Sequence, residues 1–307
     1  MSVWLLLSPG FPATILSMPR FTLAFITDEF CQDFERAAST AVELGYEAVE
    51  VRSVWNKNVA DLEPGEVARI RRIADKAGVR ILSVASPVFK CTHPEGGPVD
   101  HRFEQDAFHS AHQFADQPRI LERSIQIAVE LGAPIVRVFS FWRTMEPQRL
   151  FHHIVESLAE AIQKASRQGR WIGLENEHAC NIATAAEAAP VLHALQDKHF
   201  GLVWDPGNSY MAGEIPYPDG YSLLPPGRIL HVHAKDGVLN RERDRVLWGP
   251  FGEGQVDWKR QIAALARDGY HGAISLETHW AGPDGNKEEG SRICAVRLKE
   301  MVLGYAG

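Results

Sequence analysis

One pattern recurs along the chain: apolar residues at helical spacing, then a glycine, then a short run of β-branched residues. The segments 44–51 (LGYEAVEV), 77–84 (AGVRILSV), 131–138 (LGAPIVRV), 168–175 (QGRWIGLE) and 268–277 (DGYHGAISLE) all follow it. Their glycines, Gly45, Gly78, Gly132, Gly169 and Gly269, stand where a helix closes on a left-handed residue. Upstream, Leu150, Ile154, Leu158, Ala161, Ile162 and Ala165 fall on one helical face, as do Val67, Ile70, Ile73 and Ala74. The runs after the glycines are short and apolar throughout, as parallel strands covered on both faces require. Further runs at 21–27, 200–204 and 229–233 bring the predicted strands to eight. A last amphipathic helix is expected near 288–303.

Strands alternating with helices predict an α/β protein with a parallel sheet, and eight units predict closure into a (β/α)8 TIM barrel. A chain of 307 residues holds one such domain, which typically takes about 250. The domain is expected over 18–307. An open doubly wound sheet is the alternative, but the first strand runs into FITDEF rather than a glycine-rich dinucleotide fingerprint. Two connections exceed ordinary loop length, 86–117 after strand 3 and 235–256 after strand 7. Long loops at the C-terminal ends of barrel strands shape or cover an active site. Residues 1–17 are expected to be a disordered tail or to follow an upstream start. They lack a basic n-region and a small-x-small cleavage site, and proline interrupts their apolar patch too early for a membrane span.

Candidate chemistry sits at four strand ends. WIGLE ends on Glu175, FGLVWD on Asp205, RILHVH on His233 and GAISLE on Glu277. The gaps of 30, 28 and 44 residues each hold about one strand-plus-helix unit. In a closed barrel these ends are neighbours, and three carboxylates with one imidazole suit a divalent metal. A net charge of −7 with no long basic run argues against a nucleic-acid surface. The four cysteines, Cys31, Cys91, Cys180 and Cys294, form no CxxC pair, which fits reduced thiols and a cytoplasmic location.

Five motifs carry a family resemblance: LENEH at 174–178, WDPGN at 204–208, HVHAKD at 231–236, FGEGQVDW at 251–258 and SLET at 275–278. From about residue 20 onward the chain resembles the sugar isomerase/epimerase superfamily. That xylose-isomerase-like barrel group includes ketose 3-epimerases, hydroxypyruvate isomerase and inosose dehydratase. The resemblance implies one divalent ion held by Glu175, Asp205, His233 and Glu277, with Glu175 and Glu277 also serving as the acid/base pair. Mn2+ is the first expectation, with Mg2+, Co2+ and Zn2+ open. The implied partner is a small-molecule carbohydrate, phosphorylated or not, and the implied assembly a homo-oligomer. The implied reaction is proton abstraction next to a carbonyl through an enediolate, giving isomerisation or epimerisation. A lyase or dehydratase acting on a keto-sugar, keto-glycoside or inosose is the alternative outcome at the same site.

One departure stands out. Where the family commonly has histidine three residues after the strand-6 aspartate, this chain has Asn208, which can hydrogen-bond a hydroxyl but cannot pass a proton on. Asn208, His178, Arg143, Lys235 and Trp142 are the expected substrate contacts. His231 and Glu50 are expected to be hydrogen-bonded interior groups. An abasic-site endonuclease would need histidine ligands on early strands, and AVEVR and ILSVAS contain none. A non-catalytic barrel is the remaining class.

Overall fold

The structure, a computed structural model, describes residues 21–103, 111–240 and 245–305. Eight strands close into a barrel in chain order, every neighbouring pair parallel. They are β1 (Thr22–Ile26), β2 (Ala48–Val51), β3 (Arg80–Ala85), β4 (Ile135–Val138), β5 (Trp171–Glu175), β6 (Phe200–Trp204), β7 (Ile229–Ala234) and β8 (Ala273–Leu276). The barrel shuts where β1 pairs with β8, Thr22 opposite Ala273 and Phe25 opposite Leu276. The open-sheet alternative is thereby excluded, and all eight expected strands are present.

The helices are α1 (Phe34–Leu44), α2 (Pro64–Ala77), α3 (Gln117–Leu131), α4 (Phe151–Arg167), α5 (Ala185–Ala194), α6 (Pro206–Met211), α7 (Trp258–Arg267) and α8 (Lys287–Tyr305). On α4 the predicted stripe of Ile154, Leu158, Ala161, Ile162 and Ala165 is buried. On α2 Val67, Ile70 and Ala74 are buried and Ile73 is half-buried. The five predicted glycines take φ between 63° and 77°, the left-handed region. Three of the four cysteines are buried and all are free thiols. Among the described residues no helix is long and apolar enough to cross a membrane. The expectation for 1–17 lies outside the described residues.

Hydrogen bonds order the described parts of both long connections. Backbone N–H groups of Phe139, Phe141 and Trp142 donate to the carbonyls of Val88, Phe89 and Cys91, which lays the segment after β3 along the extension of β4. After β7 the chain folds into an antiparallel ribbon, Asp236–Asn240 against Arg245–Gly249, where a loop was expected. The buried Asp236 carboxylate anchors the return of that ribbon by accepting N–H groups from Gly237, Gly252, Gly254 and Val256. A Cβ on Gly254 would fall 2.0 Å from Asp236 Oδ1 and 2.7 Å from the Gly237 carbonyl, so only glycine fits. Gly254→Ala is therefore expected to destabilise the fold by about 1–3 kcal/mol, read as a lowered denaturant midpoint at unchanged slope.

Candidate active site

The barrel register places four side chains at one end of the sheet. Glu175 is the last residue of β5, His233 lies near the end of β7, and Asp205 and Glu277 each follow their strand by one residue. Their donor atoms all lie within 4.8 Å of one another, and all four residues are buried. His233 Nδ1 is 3.2 Å from Glu175 Oε1 and 3.4 Å from Glu277 Oε2. Asp205 caps α6, its Oδ1 accepting the Asn208 N–H at 2.8 Å. Its Oδ2 is buried and accepts no hydrogen bond; Lys235 Nζ stands 3.0 Å away as an ion-pair partner. Burial pushes the Asp205 carboxyl up to about 6, Lys235 opposes that, and the nearby Glu277 and Glu175 reinforce it.

A layer of charged residues surrounds the four. Glu50 on β2, expected to be a satisfied interior group, lies with Oε1 2.9 Å from His231 Nε2 and 3.2 Å from His233 Nε2. Burial alone would lower the His233 imidazole, but Glu50 and Glu175 hold it well above its usual range. Lys235 Nζ donates to Glu277 Oε2 at 2.7 Å. Arg52 Nη1 donates to Glu277 Oε1 at 2.6 Å, and the same guanidinium reaches Asp28 and Glu29. Arg137 Nη1 donates to Glu175 Oε2 at 2.8 Å. Burial opposes ionisation of Glu277, yet Lys235 and His279 hold it well below the usual carboxylate range. In Glu175 the same burial cost is outweighed by His233 and Arg137.

The sequence reading missed Arg52, Arg137, Glu177, Lys90 and Trp248. A signal existed for two of them, because an arginine in or directly after an otherwise apolar barrel strand must have a buried partner. Of the expected substrate contacts, the structure brings Lys235, Asn208 and His178 to the four-residue cluster. Asn208 Nδ2 donates to Glu175 Oε1 at 3.2 Å, and its Oδ1 lies 2.8 Å from His178 Nδ1. The Trp248 ring, on the ribbon after β7, sits 5.1 Å from Lys235 Nζ and 5.7 Å from the His178 ring. Arg143 is not brought to this cluster in the same way. Its guanidinium binds Glu187 at 2.8 Å and the carbonyls of Cys180 and Asn181. Trp142 is buried against Phe139, Ala179 and Cys180.

Three carboxylates and an imidazole within 4.8 Å form a donor set that could hold one divalent cation. The buried Asp205 Oδ2, which accepts no hydrogen bond and has only the Lys235 ammonium as ion-pair partner, is the oxygen such an ion would take. A cavity of about 980 Å³ lies elsewhere, among residues at the N-terminal ends of β5 to β8 such as Phe200, Ile229 and Gly272.

The model of the xylose isomerase-like TIM barrel matches residues 38–295. L-ribulose-5-phosphate 3-epimerase UlaE of Shigella boydii is 26% identical over 164 residues, 52% of this chain. The chain spans about half, 54%, of that relative's length. 2-epi-5-epi-valiolone 7-phosphate 2-epimerase of Actinoplanes sp. is 24% identical over 257 residues, covering 78% of this chain and 82% of the relative. A solved structure of the IOLI protein with a bound zinc atom superposes with a TM-score of 0.70 at 17% identity, covering 93% of this chain and 99% of that one. With the matched model running across all but the ends of the barrel, this chain belongs to the xylose isomerase-like TIM barrel family.

Proposed function

We propose that the protein is a divalent-metal-dependent sugar isomerase or epimerase, with Glu175, Asp205, His233 and Glu277 as metal ligands and Glu175 and Glu277 as the acid/base pair. The observation that carries this reading is the convergence of those four donors within 4.8 Å. The epimerase relatives and the zinc-bearing IOLI structure agree with it.

When bound, a divalent ion lowers the pKa of a C–H next to a carbonyl that it polarises. The residues of the chain do the rest. Glu175 and Glu277 come from β5 and β8, three places apart around the ring, and so approach a bound ketose from different sides. One takes the proton from carbon and the other returns it to the opposite face, which inverts the centre. Asn208 and Arg137 orient the Glu175 carboxylate; Lys235 and Arg52 orient that of Glu277. The Trp248 indole offers an apolar wall for a sugar face.

The test is a panel of ketoses and keto-glycosides incubated with the Mn2+-loaded protein in D2O. Deuterium should enter the carbon next to the carbonyl. Turnover without exchange would contradict the mechanism, and an unsaturated product would assign the lyase outcome instead.

Lys235 gives a separate prediction. Its ammonium neutralises two proposed ligands, Asp205 and Glu277, and repels an incoming cation. Lys235→Met should tighten Mn2+ binding by about tenfold in calorimetry, from Coulomb repulsion removed at short range, while turnover falls.

A further inference from the structure

The departure at Asn208 leaves the site without the imidazole that the family commonly places there, yet an imidazole stands beside it. His178 lies in the turn after β5, with Nδ1 2.7 Å from Glu177 Oε1 and 2.8 Å from Asn208 Oδ1. Asn208 gives its amide N–H to Glu175, so its oxygen faces His178 and can only accept. Glu177 is a second acceptor. Two acceptors on one ring nitrogen place a proton on Nδ1 and leave Nε2 as the ring nitrogen open to a substrate oxygen. Nothing among the described residues hydrogen-bonds Nε2, and the side chain is 16% exposed, between the Trp248 and Phe103 rings.

Glu177 is itself held in place. It is buried, and Lys90 Nζ lies 3.5 Å from its Oε2 over the face of Phe139. Its carboxylate can therefore orient the ring without leaving. A surface histidine paired with a surface glutamate would have neither the buried carboxylate nor the second acceptor.

We propose that His178 is the imidazole acid–base of this site and moves a proton on a substrate oxygen, with Glu177 and Asn208 as its positioning residues. The proposal rests on the isomerase reading above and deepens it. Removing and returning a C–H proton is enough to epimerise a ketose. Moving the carbonyl to the neighbouring carbon requires more. His178 Nε2 takes the remaining hydroxyl proton of the enediolate as that oxygen keeps the electron pair and becomes the carbonyl. The former carbonyl carbon takes a proton from a glutamic acid, and the imidazolium returns its proton to the former carbonyl oxygen. Atoms and electrons balance without oxidant or reductant. The substrate class is an α-hydroxy ketone whose carbonyl is relocated.

The experiment uses the full chain with Mn2+ in D2O and D-fructose, D-ribulose and 2-keto-myo-inositol as probes. Deuterium wash-in at carbon and carbonyl relocation are measured on the same samples. In His178→Asn relocation should fall by about 10²- to 10⁴-fold, the usual worth of a general acid–base. Wash-in should fall far less, so that the ratio of relocation to wash-in drops by about 10²-fold or more, because exchange at carbon is carried by the glutamates, and Mn2+ affinity should not change. Added imidazole should restore relocation in His178→Gly, which a packing role would not allow. Parallel loss of both signals, or relocation kept within about threefold in His178→Asn, would overturn the proposal. A wild type that washes label in but never relocates a carbonyl would also overturn it. A wild type silent in both assays on every probe would instead remove the isomerase reading, and this inference with it.

Discussion

Glu277→Gln and Glu175→Gln are each expected to lower turnover by about 10³-fold or more, even at saturating Mn2+. In the proposed mechanism each substitution removes a base that takes or returns a proton at carbon, a contribution of about 10²- to 10⁴-fold by itself. Each also removes a negative charge from a cluster already balanced by buried cations. In Glu277→Gln, Lys235 and Arg52 lose the carboxylate they both hold; in Glu175→Gln, Arg137 loses its partner. Breaking a buried pair from one side costs about 3–5 kcal/mol, so a lower melting temperature should accompany the lost activity. Turnover is read as deuterium incorporation into a ketose, with circular dichroism on the same samples to confirm the fold. Either variant retaining activity within about tenfold of wild type would remove that glutamate from the acid/base pair.

Metal removal should have the second largest effect. Three carboxylates are buried within 4.8 Å of one another, and burial, reinforced by Glu277 and Glu175, raises the Asp205 carboxyl. A ligand that binds only the folded chain stabilises it by about 2.7 kcal/mol at a hundred times its dissociation constant. For a domain of this size that corresponds to a shift of roughly 4–5 °C in melting temperature. Chelation should lower the melting temperature by that amount and abolish turnover, and Mn2+ should restore both. An unchanged melting temperature with full activity after exhaustive chelation would contradict metal dependence.

The barrel was legible because its signals are local. A glycine that closes a helix, a short β-branched run and the next helical stripe follow one another in sequence, and five such repeats with three further strand runs leave little choice of architecture. The four-residue site was legible for a related reason. Parallel strands align their C-terminal ends, so the last residue of β5, the last but one of β7 and those directly after β6 and β8 meet without any knowledge of side-chain contacts. What the sequence hid is the charge layer around them. Arg52 meets Glu277 across 225 residues, and Glu50 meets His231 across 181. No spacing rule links such pairs; only closure of the barrel brings them together. Arg143 shows the converse. Its position past strand 4 suggested a substrate contact, while the structure gives its guanidinium to Glu187 at the start of α5. The ribbon after β7 could have been found, since VLN and RVLW flank a polar RERD stretch, an alternation that fits a hairpin.

The most direct test of the central claim is the metal content of the purified protein, measured beside a Glu175→Gln/Glu277→Gln double variant. The account predicts roughly one divalent ion per chain in the wild type, held by the four-donor cluster, and loss or marked weakening of that ion in the variant. A wild type that carries no metal and takes up none when Mn2+ is added would contradict it.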